Sequence, residues 1–345
     1  MARKMRAALF SDYGGPEVVE ITDVPIPEPG PGEVRIKVQA ASMNHLDLWV
    51  RRGLPIETPM PHIGGSDLAG LVDATGPGAE DVPVGIRVVV DPSISYRWYE
   101  GPGRGESFEP SPFQIIGEHT QGGFAEYTVV PAENLLEIPE HVSFERAAAA
   151  GLVFVTAWRA LLTRGQLQAG ERVLITGTSG GVGTAAVQIA SRAGAKVYAV
   201  TSGSQNVARA EDLGAHVVYD REKVDFAREV WRDTDKACVD IVFDTVGESV
   251  WQQCVRSLGL KGRLVTSGAT TGSRGITEIR LLFWKQLTIM GSTMGTPAEF
   301  RRVMRLVFEG SLDPVIHQIL PLDQARTAHE ILESGRVFGK VVLVP

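Results

Sequence analysis

The chain has 345 residues, with 43% hydrophobic and 22% charged side chains and a formal net charge of -7. A chain of this length outgrows a single hydrophobic core, so two domains are expected. Nucleic-acid binding needs a concentrated basic face, and this acidic balance argues against a nucleic-acid partner.

The ends and the cysteines favour a cytoplasmic protein with no membrane partner. The opening MARKMRAALF has basic residues but no apolar stretch of signal-peptide length. The longest apolar run, at 147–158, is too short to cross a bilayer and predicts a core helix. The two cysteines, Cys238 and Cys254, exclude a disulfide framework and a cysteine-rich metal site, and they fit a reducing compartment.

The first predicted unit is rich in strands. From residue 5 to about residue 132, short apolar runs such as EVRIKVQAA and FAEYTVV are each cut off by Gly or Pro. This spacing predicts an irregular all-β unit, because every short strand is closed by a turn-forming residue. The stretch 91–117 shows little periodicity and is predicted to be an excursion from that unit.

From residue 172 onward, strand-like runs alternate with helical spacing. Helices are predicted at 182–193, 204–213, 225–231 and 248–258, between the runs RVLITG, KVYAV, VDIVFD, GRLVTSG and LTIMGS. This alternation predicts an α/β fold with a doubly wound parallel sheet. The last stretch, 297–345, adds predicted helices at 298–308 and 322–332 and a closing strand, GKVVLV.

A glycine-rich turn between the first strand and helix of this half predicts a dinucleotide site. Glycines there permit a tight turn, close approach of backbone to a pyrophosphate, and close helix packing, while the helix start binds the phosphates. A purely structural turn is the alternative, but the strand–turn–helix–strand context favours the cofactor. The predicted contact residues of the turn are Gly177, Ser179, Gly180, Gly181, Val182 and Gly183.

The end of the second strand indicates which dinucleotide is preferred. A carboxylate there would bind the ribose of NAD, but the chain has Ser202 and Ser204, with no acid before Glu211. Hydroxyl groups, with Arg209 nearby, suit a 2′-phosphate better, so NADP is preferred and NAD stays possible. A solvated helix residue is the alternative for Arg209.

Taken together, five stretches resemble the medium-chain dehydrogenase/reductase superfamily, which contains zinc alcohol dehydrogenases and zinc-free quinone oxidoreductases. They are GGPEVVEITDVPIPEPGPGEVRIKVQAASMNHLDLWVRRG, GGFAEYTVVPAENLLEIPE, AAAAGLVFVTAWRALL, TGTSGGVGTAAVQIA and GRVFGKVVLVP. The resemblance implies a GroES-like β-barrel catalytic domain at 1–153, completed by 293–345, and a Rossmann domain at 154–292. It implies a small-molecule substrate and a cofactor in the cleft between the domains.

The chain departs from its zinc-binding relatives at both metal sites. The catalytic ligands match Asn44, Ser66 and Leu152, which are not zinc donors, so no zinc is expected. A rebuilt site remains the alternative, with candidates His45, His62, Asp67, Glu118 and His119. The four structural-zinc cysteines match Tyr96, Tyr99, Pro102 and Pro110, and aromatic packing with Trp98 is the hypothesis for that lobe.

The segment NHLDLW is similar to the motif that quinone oxidoreductases place beside the nicotinamide. The resemblance implies that Asn44, Asp47 and Trp49 line the substrate pocket. Without zinc, the amide of Asn44 or the imidazole of His45 is a candidate donor to the developing oxyanion. His45 or His119 is a candidate proton donor. The alternatives are a local hydrogen bond for His45, a helix start for Asp47, and a core position for Trp49.

Other contacts are implied by the resemblance alone. Cofactor contacts are expected at Thr156, Val246 and Gly268, and Lys340 is expected to reach a cofactor phosphate, with a charge at a strand edge as the alternative. The late strand LTIMGS is a candidate edge strand that pairs across a two-fold axis, which would give a homodimer.

Three functions fit these observations. The first is a zinc-independent NAD(P)H-dependent reductase of a quinone, an enone or an activated carbonyl compound. The second is an alcohol or aldehyde dehydrogenase with a rebuilt metal site. The third is an NADP-binding redox sensor or structural partner without turnover, which the intact phosphate turn does not exclude.

Overall fold

The computed structural model describes residues 3–94 and 113–345. The chain divides into two compact units, Met1–Leu152 with Gly295–Pro345, and Val153–Met294. They are called unit 1 and unit 2 below. The boundaries expected from the sequence were after residue 153 and before residue 293.

Unit 1 is built mainly from strands, and alternation explains why they form. Along Glu33–Ser42, the side chains of Val34, Ile36 and Val38 are buried, while the residues between them are not. This period of two gives the strand one core-facing side. The strands of unit 1 are β1 (Lys4–Phe10), β2 (Glu20–Pro25), β3 (Glu33–Ser42), β4 (His62–Ile63), β5 (Asp67–Thr75), β6 (Arg87–Val90), β7 (Ser93–Ile94), β8 (Gln114–Ile115), β9 (Tyr127–Pro131), β10 (Leu135–Glu137), β17 (Ile316–Pro321) and β18 (Lys340–Val344).

The carboxy-terminal stretch returns to the sheet of unit 1, as the resemblance implied. The main sheet runs β10-β6-β5-β3-β18-β17, with β9 also pairing with β3, and a smaller sheet runs β2-β1-β4. Strand β18 pairs antiparallel with β3, so Val342 faces Ser42 and Leu343 faces Ala41. This register brings the start of the last strand to the end of β3, next to the candidate site. The helices here are α1 (His45–Arg52), α2 (Phe144–Trp158, which continues into unit 2), α8 (Pro297–Phe308) and α9 (Ala325–Glu333).

Unit 2 is the doubly wound parallel sheet that the sequence predicts. Its strands are β11 (Arg172–Ile175), β12 (Lys196–Thr201), β13 (Val217–Asp220), β14 (Val239–Asp244), β15 (Leu258–Thr266) and β16 (Thr288–Gly291). Their order is β13-β12-β11-β14-β15-β16, all parallel, which is the order of a dinucleotide-binding Rossmann sheet. The helices are α3 (Gly181–Arg192), α4 (Gln205–Asp212), α5 (Phe226–Asp233), α6 (Trp251–Ser257) and α7 (Ile279–Trp284).

Two predicted helices begin later than the sequence indicates. The helix expected at 248–258 begins at Trp251, because residues 245–247 form a turn bonded to the end of β14. The helix expected at 322–332 opens with a 3₁₀ turn at Leu322–Gln324 before α9. The apolar segment Phe144–Arg164 is long enough to cross a membrane, but 72% of its 18-residue apolar window is buried inside the protein, which is typical of a core helix.

Candidate active site

The glycine turn of unit 2 has a backbone that side chains would disrupt. Gly177 has φ +62, a left-handed conformation that favours glycine. A Cβ on Gly183 would lie 2.2 Å from the carbonyl oxygen of Gly177, so α3 packs against the turn only because Gly183 has no side chain. At Gly180, which caps α3, a Cβ would meet nothing closer than 3.5 Å, and no side chain caps the helix. The first N–H groups of α3 are therefore available to an anion.

The turn after β14 is held by one buried carboxylate. Asp244 accepts hydrogen bonds from the Thr176 hydroxyl at 2.5 Å and from the backbone N–H groups of Val246 and Gly247 at 3.1 and 3.0 Å. Burial raises the pKa of Asp244, and these three donors oppose the rise. A Cβ on Gly268 would lie 2.7 Å from the Thr245 carbonyl oxygen. The turns after β14 and β15 therefore pack closely against each other.

The residues of unit 2 fit a dinucleotide by a second observation. Four buried hydroxyl groups have no hydrogen-bond partner, and three of them lie at the carboxyl ends of the parallel strands, where ligands bind in such sheets. The four are Thr156, Thr201, Ser267 and Ser292.

The turn after β13 brings two cations, which the sequence reasoning missed, to the serines that follow β12. The Arg221 guanidinium donates to the Ser202 hydroxyl, and the Lys223 ammonium donates to the Ser204 hydroxyl. Asp220 also lies here and accepts from the Gly203 N–H at 3.2 Å. Arg209, which was expected to act at this place, is exposed in the last turn of α4. Because Thr201 pairs with Asp220 across parallel strands, the turn after β13 reaches the serines, a contact that only the sheet order reveals.

In unit 1, three buried polar side chains meet where β3, β5 and β18 come together. The Asn44 Nδ2 donates to Asp67 Oδ2 at 2.9 Å, and the Lys340 Nζ donates to Asn44 Oδ1 at 2.5 Å and to Asp67 Oδ2 at 3.3 Å. The backbone N–H of Leu152 donates to the other Asp67 oxygen at 2.7 Å. These bonds fix the orientation of the Asn44 amide, because its oxygen accepts from the Lys340 ammonium and one of its N–H groups donates to the Asp67 carboxylate. The set of Asn44, Asp67 and Lys340 is called the polar cluster below.

The contact of Lys340 with a cofactor phosphate stays a prediction, and the structure gives Lys340 a protein partner. The Lys340 side chain is 3% exposed, and its ammonium contacts the Asp67 carboxylate. Burial lowers the pKa of Lys340, and the charges of Asp67 and Asp47 oppose this. The strand-edge alternative is wrong, since β18 lies between β3 and β17. The sequence could not show this pairing, because 273 residues separate Lys340 from Asp67.

Asp47 has a structural position at the start of α1, and its expected role in the substrate pocket stays a prediction. Its carboxylate accepts from the Asn44 N–H at 2.7 Å and from the Gly65 N–H at 2.9 Å, and it forms a capping box at the start of α1. Burial raises its pKa to about 6, against the lowering effect of these bonds and of Lys340. The sequence alternative, a residue that orders the helix start, is the one that the structure supports.

His45 and Trp49 lie on α1 beside the polar cluster. The His45 ring retains exposed surface, yet burial around it and the charges of Lys340 and Arg52 lower its pKa, so it is neutral near pH 7. The Trp49 ring lies 6.5 Å from it, centroid to centroid, and is half-buried rather than part of the core.

The turn at 115–120 brings two further titratable groups to the same region. His119 Nδ1 accepts the Ile115 N–H at 3.2 Å, which puts the ring proton on Nε2, and burial lowers the pKa of His119. A neutral imidazole is a weak proton donor, which counts against the role expected for His119. Glu118 lies beside it with Oε2 buried and without a hydrogen-bond partner, while His62 bonds the Gly117 oxygen at 3.0 Å. The residues of the structural-zinc lobe, Tyr96, Trp98, Tyr99, Pro102 and Pro110, lie outside the described residues.

Comparison with known proteins agrees with this architecture. Residues 30–140 match the family model "Alcohol dehydrogenase GroES-like domain", and residues 181–309 match "Zinc-binding dehydrogenase". The human quinone oxidoreductase is 30% identical over 99% of this chain and 98% of its own length. The chain belongs to the medium-chain dehydrogenase/reductase superfamily. Like other members of this superfamily, it is an NAD(P)-dependent oxidoreductase, with a GroES-like domain and a Rossmann domain.

Two solved structures of the superfamily are similar over nearly the whole chain. An NAD-dependent alcohol dehydrogenase is 40% identical with a TM-score of 0.91, covering 99% of this chain and 100% of that one. A crotonyl-CoA carboxylase/reductase in complex with NADP is 27% identical with a TM-score of 0.88, covering 99% and 95%. A cofactor of the NAD(P) type is therefore expected here, and the glycine turn and the unpaired hydroxyls fit it.

The zinc ion that the family name implies does not fit the residues of this member. Asn44 offers an amide oxygen already bonded to an ammonium, Ser66 a hydroxyl and Leu152 no donor. In residues 3–94 and 113–345, no three His, Cys, Asp or Glu side chains are grouped to hold a metal. The candidates for a rebuilt site thus do not come together in the described part of the chain.

Proposed function

We propose that this member of the superfamily is a zinc-independent, NADPH-dependent reductase of quinones, enones or related activated carbonyl compounds. The observation that carries the proposal is the polar cluster, in which the Lys340 ammonium lies 2.5 Å from the Asn44 oxygen at a position that matches a zinc ligand in relatives. Similarity to human quinone oxidoreductase supports the same substrate class.

The cluster suggests how charge on a substrate oxygen is stabilised without a Lewis acid. Bound NADPH supplies the hydride. One N–H of the Asn44 amide donates a hydrogen bond to Asp67. The second N–H can donate to the substrate oxygen on which negative charge develops. Lys340 prevents the amide from turning its oxygen outward, because that oxygen accepts the ammonium proton. Removal of one such donor typically lowers kcat by about 100- to 1,000-fold.

The preference for NADPH over NADH rests on the end of β12. A 2′-phosphate has two negative charges and needs cationic or hydroxyl donors, which Ser202, Ser204, Arg221 and Lys223 offer together. Asp220 would repel the phosphate, but its oxygens accept hydrogen bonds from Gly203, Ser204 and Glu222, which disperse its charge.

The test combines metal content with turnover. Purified protein is analysed for transition metals, and NADPH or NADH consumption is then followed with a quinone and an enone, before and after treatment with a chelator. The proposal predicts less than one metal ion per ten chains, unchanged activity after chelation and a higher kcat/KM for NADPH. Stoichiometric metal whose removal abolishes turnover would contradict it.

A second candidate function has a specific observation in its favour. The NAD-dependent alcohol dehydrogenase is, at 40% identity, closer in sequence than the quinone oxidoreductase. An alcohol or aldehyde dehydrogenase with a rebuilt metal site is therefore the competing proposal. Metal-dependent oxidation of simple alcohols with NAD would support it against the reductase.

We also propose a homodimer formed through unit 2. Strand β16 ends the sheet and pairs with β15 on one side, which leaves its other edge open to an identical strand. Large apolar side chains of unit 2 between residues 260 and 289 are exposed, namely Leu260, Ile276, Ile279, Phe283, Trp284 and Ile289. Light scattering should show a dimer that Trp284→Glu weakens at least tenfold, whereas Trp231→Glu, at an exposed Trp on α5, should not. Cytoplasmic location stays a prediction.

A further inference from the structure

An open cavity of about 570 Å³ lies in unit 1. Cavities that bind small ligands have volumes of about 300–1,000 Å³, so this one has the size of a binding site. None of the residues that line it belongs to the polar cluster or is expected to bind the cofactor or the substrate. They are Tyr13, Gly14, Gly15, Pro16, Arg52 and Glu333. The proposed reductase function therefore leaves this cavity unused.

Two arginines at the end of α1 share one carboxylate beside this cavity. Nη2 of Arg51 lies 2.5 Å from Glu333 Oε1, and the Arg52 guanidinium donates to the same oxygen. Burial acts to raise the pKa of Glu333, but the bonds from the two arginines outweigh it and hold that pKa below its ordinary value. Glu333 is therefore ionised at neutral pH, and the three side chains together carry one surplus positive charge.

The two arginines have different surroundings. The Arg51 side chain is fully buried, its Nε donates to the Gly14 oxygen at 3.1 Å, and its Nη1 has no partner among the described residues. Arg51 thus needs Glu333 as a buried counter-charge. The Arg52 side chain is 53% exposed, and Glu333 is the one group of the described chain to which it donates. A guanidinium has five N–H donors, so the surplus charge lies on a group that lines the cavity and has donors left for a ligand.

Two further charged groups lie beside the cavity and offset each other. The Glu17 carboxylate accepts from the Gly15 N–H at 3.0 Å. The Arg326 guanidinium donates to the backbone oxygens of Glu17 and Val19, both at 3.0 Å. His329, on α9, adds no charge, because burial and the neighbouring guanidinium lower its pKa to about 3. The surplus of one positive charge at the cavity is therefore kept.

Tyr13 gives the cavity an aromatic wall. A Cβ on Gly53 would lie 3.3 Å from the Tyr13 ring, so the ring packs against the residue that ends α1. Tyr13 nevertheless keeps 46% of its surface exposed, and Pro16 adds apolar surface to the same lining. The cavity thus combines a flat aromatic surface with the Arg52 cation, which suits a ligand that has a planar ring and a negative charge.

We propose that this cavity binds a small aromatic carboxylate. The Arg52 guanidinium pairs with the carboxylate, for which its planar set of donors is suited, and the Tyr13 ring stacks on the aromatic ring. A monoanion matches the single surplus charge, whereas a phosphate dianion would meet the carboxylates of Glu17 and Glu333 as well. The site lies within unit 1 and does not depend on the proposed reductase function.

The experiment measures the binding of benzoate to the full-length protein by isothermal titration calorimetry. The wild type should bind benzoate with a Kd on the order of 1 mM, as expected for a ligand of about nine heavy atoms. Benzamide, which has the ring without the charge, and acetate, which has the charge without the ring, should each bind about tenfold more weakly or worse. Phenyl phosphate tests the dianion and should also bind more weakly than benzoate.

Four variants locate the site. Arg52→Ala should weaken benzoate binding about tenfold, because the charge-assisted bond is lost, and Tyr13→Ala should weaken it about threefold. Glu17→Gln removes a carboxylate beside the cavity and should tighten binding about twofold, a change of the opposite sign that a loss of structure does not produce. Arg302→Ala, at an exposed arginine on α8, is the matched control and should bind benzoate like the wild type.

Thermal unfolding provides a second readout. Benzoate in excess over its Kd should raise the Tm of the wild type and of R302A, but not that of R52A. The inference is overturned if the wild type shows no binding up to about 20 mM benzoate, if benzamide binds as well as benzoate, or if R52A keeps the wild-type affinity. If R52A does not fold, Y13A and E17Q decide: affinities that change in opposite directions support the site, and unchanged affinities overturn it.

Discussion

The glycine turn of unit 2 and the polar cluster of unit 1 are built in different ways. The turn is assembled from seven neighbouring residues, and its geometry depends on backbone that has no Cβ at Gly177 and Gly183. The cluster joins Asn44, Asp67 and Lys340 from three strands or their ends, through side chains alone. A backbone site is encoded locally, while a side-chain site exists only when distant strands pair correctly. Substitutions in the two sites should therefore have different effects on stability and on cofactor binding. Four predictions follow from this difference, beginning with the largest expected effect.

The largest effect is expected at Lys340. Lys340→Met leaves the Asp67 carboxylate buried without its cation, and loss of one partner of a buried pair typically costs about 3–5 kcal/mol of unfolding free energy. Urea denaturation measures this, with Lys37→Met, at an exposed lysine on β3, as the control. The double variant Lys340→Met with Asp67→Asn should recover part of the loss. Equal free energies of unfolding for K340M and K37M would show that the Lys340–Asp67 ion pair does not contribute to stability.

Gly183 tests the locally encoded site. In Gly183→Ala the new Cβ would collide with the Gly177 oxygen, so the turn must open, at a cost of about 1–3 kcal/mol in stability. NADPH affinity, measured by fluorescence, should fall at least tenfold because the phosphate-binding N–H groups move. Gly180→Ala meets no close contact, so its unfolding free energy should stay within about 0.5 kcal/mol of wild type. If both variants bind NADPH like wild type, the turn is not the phosphate site.

Arg221 and Lys223 test a third kind of site. They are about 20 residues from Ser202 and Ser204 in the chain, and they meet these serines because β13 lies next to β12 in the sheet. Each change to Ala should weaken NADPH binding about tenfold, since a charge-assisted bond to phosphate is lost, and leave NADH binding within about twofold. Arg228→Ala, at an exposed arginine on α5, is the control. A similar loss of affinity for NADPH and NADH would show that these cations do not bind the 2′-phosphate.

The smallest effect is a pH-dependent gain in stability at Glu118. Folding raises the pKa of this carboxyl from its ordinary value near 4.3 to about 7, so the folded chain holds the proton more tightly. Its contribution is present at low pH and is lost as pH rises through 7. Glu118→Gln should thus stabilise the protein at pH 8, where the wild-type carboxyl is ionised, and change its free energy of unfolding little at pH 4. A gain that is the same at both pH values would show that Glu118 has no raised pKa.

The sequence predicted the parallel sheet, the glycine turn and the superfamily, because these follow from local patterns of apolar and glycine residues. It left Lys340 between a cofactor phosphate and a strand edge, and Asp47 between a pocket wall and a helix start. The structure pairs Lys340 with Asp67 and places Asp47 at the start of α1. Charge and hydrogen-bonding capacity are visible in a sequence, but the partner of a buried group is not. Arg221 and Lys223 could have been suspected from the sheet order 3-2-1-4-5-6, since the turn after the third strand lies beside the end of the second.

The sequence by itself determined that this chain folds into two units, that one of them binds a dinucleotide, and that the positions of the zinc ligands lack zinc donors. Only the tertiary structure decided what replaces those donors, since β18 must pair with β3 before Lys340 can meet Asn44 and Asp67. It also decided that the Oε2 atom of Glu118 is buried without a hydrogen-bond partner, because burial depends on how Gly117 and its neighbours pack against residues 63–65. The backbone conformation of a short motif depends on its own residues. The charge balance of a buried site depends on residues that are far apart in the chain and meet only when the protein folds.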